Sequence, residues 1–474
     1  VIQCLKKSSV PVQIDGRGEF VHKYLQILNG LESLIHSRPY KEGEKLPSIR
    51  ALSDQYSCSK STIIRALNEL EKQHLIYSVP KSGYYVVKRT NLLEENDSSI
   101  IDFATYAPDP DVFPYLDFQH CINKAIDTYK NELFVYGTPK GLPSLIQTVK
   151  GQLANHQIFA DQRNIIVTSG IQQALSLLTA IPFPNGKSKI LIEQPGYHLF
   201  IEHLETRQIP VLGIQRTAAG IDLDELEHLF RTESIKFFYT MPRFHNPLGS
   251  SFTQQEKKKI VELAKAYDVY IVEDDYLADF EQDSKADPLY AYDDSSHVIY
   301  LKSYSKIIFP GLRIGIAVIP DALMELFNRY KRLLDIDSSM LSQAALDIYL
   351  KSGMFERHKQ KIRSSYSRRS QLLNDALQQH SALNGELFAY PSPKQPCIHA
   401  HIVLDSRVSI PQLINNLHRK SILLESVHKN YLSSFPKLPI LKVTASNAKD
   451  KDIKPGILQL VDEMKKVYLT KTSL

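Results

Sequence analysis

Residues that could do chemistry stand at the ends of apolar runs. The stretch Leu301–Gly315, LKSYSKIIFPGLRIG, closes one run with Ser303, Tyr304, Ser305 and Lys306, turns at Pro310-Gly311 and adds Arg313. The run VYIV is followed by Glu273, Asp274, Asp275 and Tyr276, and NIIV by Thr168, Ser169, Gly170 and Ile171. FFYTMP leads into RFHNPLG, which carries Asn246. Each has an ordinary explanation when taken singly. A small-residue turn opening a helix offers free N–H groups and a positive dipole end to a phosphate, yet also serves as a plain strand-to-helix turn. Three acids at a strand end fit a metal, a solvated loop or a cation's partner, and Asn-Pro is turn chemistry. Together they form a set: a lysine preceded by hydroxyls, an arginine seven residues later, and an acid at the end of the preceding strand. That set is what pyridoxal 5′-phosphate requires: a Schiff-base lysine, an acid that keeps the pyridine nitrogen protonated, and a cation with hydroxyls for the phosphate. Lys302 continues the strand and is expected to be solvated.

The elements that must position this set alternate. NIIVTSG, KILIEQPG, KFFYTMP, VYIVEDDY, HVIYLKSYSK and RIGIAVIP are buried-strand candidates, each separated by room for a helix. The expected architecture is α/β with a doubly wound, mostly parallel sheet. In such sheets ligands gather at the carboxyl ends of strands.

The first 90 residues are different. FVHKYLQILNGLESLIHS, residues 20–37, repeats apolar residues at helical spacing through Val21, Tyr24, Leu25, Leu28, Leu31 and Ile35. Pro47 and Ser48 suit the start of a second helix, and a third is expected to begin near Ser59. YSVPKSGYYVVKR reads as two short strands around Lys81-Ser82-Gly83. Three helices and a hairpin make a winged helix-turn-helix, whose second turn helix enters the major groove of DNA; a plain three-helix packing domain is the alternative. Charge agrees with a nucleic-acid reader: residues 1–90 carry 14 Lys+Arg against 8 Asp+Glu, and the remainder 43 against 44.

At 474 residues the chain is too long for one core. The expected divisions are an N-terminal extension (1–19), a winged helix-turn-helix (20–88), a linker (89–101) and a large domain (102–474) with a small C-terminal α/β subdomain from about 345. No apolar stretch reaches the length of a membrane span or a secretory signal, which points to the cytoplasm. Cys4, Cys58, Cys121 and Cys397 are scattered and are read as free thiols, with no metal site.

Two resemblances sharpen these expectations. KLPSIRALSDQYSCSKSTIIRALNELEKQHLIYSVPKSGYYV resembles the GntR regulator family, which implies DNA contacts at Arg50, Ser59, Lys60, Ser61, Thr62 and Arg65, with Gly83 at the wing tip. From about residue 100 to 465 the motifs YGTPKG, TSGIQQAL, EQPGY, HNPLG, EDDY and SYSKIIFPGLRIG resemble fold type I aminotransferases, in that family's order. The resemblance implies that Lys306 carries the coenzyme and Asp274 faces the pyridine nitrogen. Tyr276 and Asn246 would reach the phenolic oxygen and Tyr197 would stack on the ring. Ser169, Gly170, Ile171, Ser303 and Arg313 would hold the phosphate. Tyr136 matches a tyrosine that reaches the neighbouring subunit's phosphate, which implies a homodimer. The combination resembles the MocR subfamily of GntR-family regulators, implying control of transcription at double-stranded DNA through pyridoxal phosphate or an amino compound. An active aminotransferase with an accessory DNA-binding domain is the alternative. Two departures bear on it: Lys442 stands where the family has an arginine for the effector carboxylate, keeping the charge without the planar fork, and Leu199 stands where the subfamily's GABA-responsive regulator has a second arginine.

Overall fold

The computed structural model describes residues 23–36, 44–72, 75–79, 82–86, 100–106, 112–283, 285–393, 395 and 397–472. The expected extension 1–19, the start of the first helix, Lys81 of the hairpin turn and all but the last two residues of the expected linker lie outside them. The chain divides into two units, 1–98 and 99–474.

In the smaller unit, α1 (Lys23–His36), α2 (Ile49–Gln55) and α3 (Lys60–Lys72) precede a hairpin of β1 (Ile76–Val79) and β2 (Gly83–Val86). Ser48 caps α2, its Oγ accepting from the Ala51 N–H at 3.2 Å, which satisfies a donor that the first helical turn leaves open. The helices bury Ile27, Leu28, Leu31, Leu52, Ile63, Leu67 and Leu70 in one core, against which Ile76 and Val86 of the hairpin pack.

In the larger unit a short β3 (Ile101–Asp102) and α4 (Tyr115–Tyr129) and α5 (Pro143–Ala154) lead into the sheet. The sheet and its crossovers comprise β4 (Ile165–Thr168), α6 (Ile171–Ala180), β5 (Lys189–Gln194), α7 (His198–Thr206), β6 (Val211–Thr217), β7 (Gly220–Ile221), α8 (Leu223–Thr232), β8 (Ile235–Thr240), α9 (Gln254–Ala266), β9 (Tyr270–Asp274), β10 (Val298–Ser303) and β11 (Gly315–Val318). The strand order is β4-β11-β10-β9-β8-β5-β6-β7, parallel from β10 through β6, with β11 antiparallel to both neighbours. No helix fits between β10 and β11, contrary to the even spacing read from the sequence, because the chain reverses within twelve residues through the Pro310–Leu312 turn. Strands β4, β8, β9, β10 and β11 are buried along their whole length, as expected of apolar runs covered on both faces.

Beyond α10 (Asp321–Leu334) and α11 (Met340–Lys351), the 30-residue α12 (Met354–Leu383) bridges two cores. Its Phe355, Ile362 and Tyr366 join the sheet's core, and Leu373, Ala376 and Leu377 join a second. That second core holds β12 (Phe388–Ala389), β13 (His399–Leu404), α13 (Ile410–His418), β14 (Ile422–Leu423), β15 (Ile440–Thr444) and α14 (Asp450–Thr472). The change of core therefore falls along α12 rather than near residue 345, because Ala344, Ala345, Leu346 and Tyr349 of α11 face the sheet's core. Strand β3 pairs in parallel with β14, so Ile101 and Asp102 belong to the C-terminal layer.

Lys302 corrects the sequence reading. It is 1% exposed, and its Nζ donates to Asp279 Oδ2 at 2.5 Å, while His156 Nε2 lies 3.2 Å from Asp279 Oδ1. Burial alone would raise the Asp279 carboxyl, yet Lys302 and His156 hold it well below the usual carboxylate range. Removing one partner of such a pair leaves a buried charge unpaired. Lys302→Met is expected to lower unfolding stability by about 3–5 kcal/mol, read as a shift in the urea midpoint.

Candidate functional site

A cavity of about 500 Å³ opens at the carboxyl ends of β4, β9 and β10. Antiparallel register puts Gly315 opposite both Thr168 and Ser303, and parallel register puts Asp274 opposite Leu301. The ends of four strands thus bring distant residues to one mouth. Lys306, Asp274, Tyr276, Asn246, Tyr197, Gly170, Ile171, Ser303, Arg313 and Lys442 all line it.

The floor is a buried acid. Tyr239 donates its hydroxyl to Asp274 Oδ2 at 2.7 Å, while Asp274 Oδ1 has no partner. Burial pushes this carboxyl up to about 7, against the opposing pull of the Tyr239 hydrogen bond. Asn246 Oδ1 is likewise buried and unpartnered. Tyr276 donates to the Phe244 carbonyl at 2.7 Å, so its proton is committed and only its oxygen remains to accept. Tyr197 receives a hydrogen bond from Gln172 Nε2 at 3.1 Å, and burial raises its phenol to about 12.

Lys306 Nζ donates to the Tyr106 carbonyl at 2.7 Å and lies 4.2 Å from the centre of that residue's ring. Burial, reinforced by the charge of Lys442, lowers its ammonium to about 8. A substantial share of the amine is therefore neutral near pH 8, the form a nucleophilic lysine needs.

One end of the cavity is an anion cup. Helix α6 starts at Gly170, φ +87°, with no side chain capping it, so its positive end faces the cavity. Arg313 donates to the Ser169 carbonyl at 3.1 Å and crowds Gly170, where a Cβ would stand 2.8 Å from the guanidinium. Only glycine permits this approach. Ser303 Oγ accepts from the Ser305 N–H at 3.1 Å at the cup's rim.

One expected residue falls elsewhere. Ser169 Oγ donates to Asp335 Oδ2 at 2.9 Å and lies 3.1 Å from Ser338 Oγ, and Gln173 Nε2 donates to the same Asp335 oxygen at 3.1 Å. The serine thus fastens the cup to the loop after α10. Tyr136, expected at a neighbouring subunit's site, is 81% exposed, and the adjacent Gly137 N–H donates to Asp337 of that loop at 2.5 Å. Tyr106, Gln172 and Glu425 line the cavity without having been singled out from the sequence, as does Ser305, which the sequence named only as part of the run before Lys306. A signal existed for Gln172, inside TSGIQQ, and for Ser305, inside SYSK, and none for Tyr106 or Glu425.

The donor set fits pyridoxal 5′-phosphate. Two orphaned buried acceptors, an uncapped helix end beside an arginine, and a lysine of lowered basicity match, in order, the ring's polar edge, its phosphate and its aldehyde. Among the described residues no group of three His, Cys, Asp or Glu side chains could hold a metal. Cys58, Cys121 and Cys397 are free.

In the smaller unit, Ser59 precedes α3, and its Oγ lies 2.7 Å from Ser61 Oγ and 2.8 Å from Thr62 Oγ1 while accepting from the Thr62 N–H at 3.2 Å. Ser59 is therefore tied into the helix start. Arg50, Lys60, Ser61 and Arg65 are exposed, Thr62 is half-buried, and Gly83 opens β2 at φ +126°.

Comparison with known proteins agrees with both units. Residues 99–418 match the family described as aminotransferase class I and II, and residues 23–86 match the bacterial regulatory proteins of the gntR family. A Bacillus subtilis (strain 168) protein, named as the uncharacterized HTH-type transcriptional regulator YcxD, is 59% identical over 94% of this chain and 100% of its own length. Among solved structures, Pyrococcus horikoshii kynurenine aminotransferase superposes with a TM-score of 0.70 at 24% identity, over 78% of this chain and 92% of that one. The α-aminoadipate aminotransferase LysN of Thermus thermophilus does so with 0.70 at 23%, over 79% and 94%. These two likenesses establish the fold.

Proposed function

The chain belongs to the aminotransferase class I and II family and carries a gntR-family DNA-binding head, and from that membership we propose that it is a pyridoxal 5′-phosphate-dependent transcription regulator of the MocR type. The coenzyme domain senses; the head reads operator DNA. When bound, pyridoxal phosphate supplies an aldehyde that condenses reversibly with primary amines and a ring that withdraws electrons. The chain's own residues do the rest. Lys306 would offer its amine, Asp274 would hold a negative charge against the protonated ring nitrogen, Asn246 would hydrogen-bond at the ring's polar edge and Tyr197 would stack on the ring. Gly170, Ile171, Ser303 and Arg313 would cradle the phosphate, while Ser169 braces that cradle through Asp335.

The single observation that carries the sensing reading is Lys442. It occupies β15 at the cavity with a point charge in place of a fork. A carboxylate can bind there, but its orientation over the ring is loosely set, which favours recognition over turnover. Sustained release of keto acid from any amino acid would overturn this. The exposed apolar side chains Tyr115, Leu116, Val135 and Tyr136 support a homodimer that covers them. No described helix is long and apolar enough to cross a membrane, and a reader of genomic DNA belongs in the cytoplasm.

In the head, Arg50, Lys60, Ser61, Thr62, Arg65 and the Gly83 wing are assigned to phosphates and base edges, with Ser59 holding the helix start. Arg50→Ala and Thr62→Ala are each expected to weaken binding to the promoter beside the protein's own gene by about tenfold, measured by fluorescence anisotropy. Arg50→Ala should also flatten the salt dependence by about one unit of slope. Unchanged binding by both variants would remove the DNA assignment.

A further inference from the structure

Once Lys306, Arg313 and Asp274 are assigned to the coenzyme, two charged side chains remain in the cavity wall: Lys442 and Glu425. Lys442 projects from β15, where it pairs in register with His401, and its ammonium stands 5.9 Å from the Tyr106 ring. Glu425 lies between β14 and β15 at the exposed mouth. Among the described residues neither makes an ion pair or a hydrogen bond, with the other or with any third side chain. They are nevertheless close enough to feel each other, since Glu425 supports the charged form of Lys442 and also that of His198, another residue of the wall.

An acid and a base that share a pocket without closing on each other leave two opposite charges to be matched by a ligand. A closed pair would have left the mouth neutral and indifferent. Here a monoamine with a carboxylate satisfies Lys442 alone. A dicarboxylate brings its second negative charge toward Glu425, and Leu199, on the same wall, offers it no cation. A simple diamine leaves Lys442 unmatched.

Resting on the coenzyme-sensing reading above, we propose that the amino compound this site recognises is a diamino carboxylic acid, its carboxylate held by Lys442 and its distal ammonium by Glu425. The first amine is the one that meets the coenzyme, and Glu425 is the residue that determines specificity.

The test uses the full chain loaded with pyridoxal phosphate. L-Lysine, L-ornithine, L-norleucine and L-glutamate are titrated by calorimetry and by the shift of the coenzyme's visible band. The expected result is that lysine or ornithine binds about fivefold tighter than norleucine, the scale of a solvent-facing ion pair, and that glutamate binds most weakly. Glu425→Gln should erase the lysine-to-norleucine ratio, and Glu425→Asp should retain part of it. Norleucine or glutamate binding as tightly as either diamino acid, or a ratio that survives Glu425→Gln, would overturn the inference while leaving the sensor reading intact. A chain that takes up no pyridoxal phosphate would overturn both.

Discussion

Lys306→Ala is expected to lose all covalent capture of pyridoxal phosphate. Borohydride reduction of the loaded parent should fix the coenzyme to the peptide containing residue 306, and the variant should show only background. Lys302 serves as the internal control, since it is buried against Asp279 on the far side of the strand end and does not line the cavity. The pH dependence follows from the lowered basicity of Lys306. Only the neutral amine attacks an aldehyde, so the rate of coenzyme capture should rise about tenfold per pH unit until about pH 8, then level off. Burial is the larger cause of that lowering and Lys442 the smaller, so Lys442→Gln should move the plateau modestly upward in pH. Stopped-flow absorbance measures both profiles.

Asp274→Asn is expected to separate stability from function. In the coenzyme-free chain the Asp274 carboxyl is buried, with one oxygen unpartnered and its pKa raised to about 7, well above an unfolded aspartate near 4. Between these values the folded chain holds a proton that the unfolded chain has released. Stability is thus fully present below about pH 4 and is lost as pH rises toward and through about 7. Asparagine cannot ionise, so the coenzyme-free variant should melt higher than the parent at pH 8, with the gap closing toward pH 4. With the coenzyme the order should reverse, because asparagine offers no negative charge to the protonated ring nitrogen, and affinity should fall by about tenfold or more. Scanning calorimetry with and without pyridoxal phosphate reads both outcomes. A variant less stable than the parent at pH 8 without coenzyme would remove the buried-charge account.

How far the site was legible depended on where its parts lie in the chain. Lys306, Asp274 and Asn246 follow long apolar runs, and strand ends converge by the geometry of a parallel sheet, so local pattern was enough. The helices of the head were legible for a similar reason: their caps and apolar stripes are local. Tyr106 was not, since IIDFATYAPDP has no periodicity and its two-residue strand exists only because Ile422 and Leu423, more than three hundred residues later, supply the partner. Lys302 misled because alternation along a strand implies a wet face. A sheet covered on both sides has none, and Asp279 with His156 meets the lysine inside. Ser169 fits a phosphate turn by local pattern, yet Asp335, far along the chain, takes its hydroxyl. Glu425 was invisible for want of any motif around it.

The short strand β3 has a mechanical consequence. Its Ile101 and Phe103 amides donate to the carbonyls of Ser421 and Leu423, the Phe103 carbonyl accepts from Thr444, and the Thr105 carbonyl accepts from Ser446 Oγ. The next residue, Tyr106, holds Lys306 through its carbonyl. Residues 101–105 are thus clamped along the C-terminal layer, and the clamp ends on the reactive amine. A displacement of Tyr106 therefore has almost no slack before it reaches the β3–β14 pairing and the C-terminal layer.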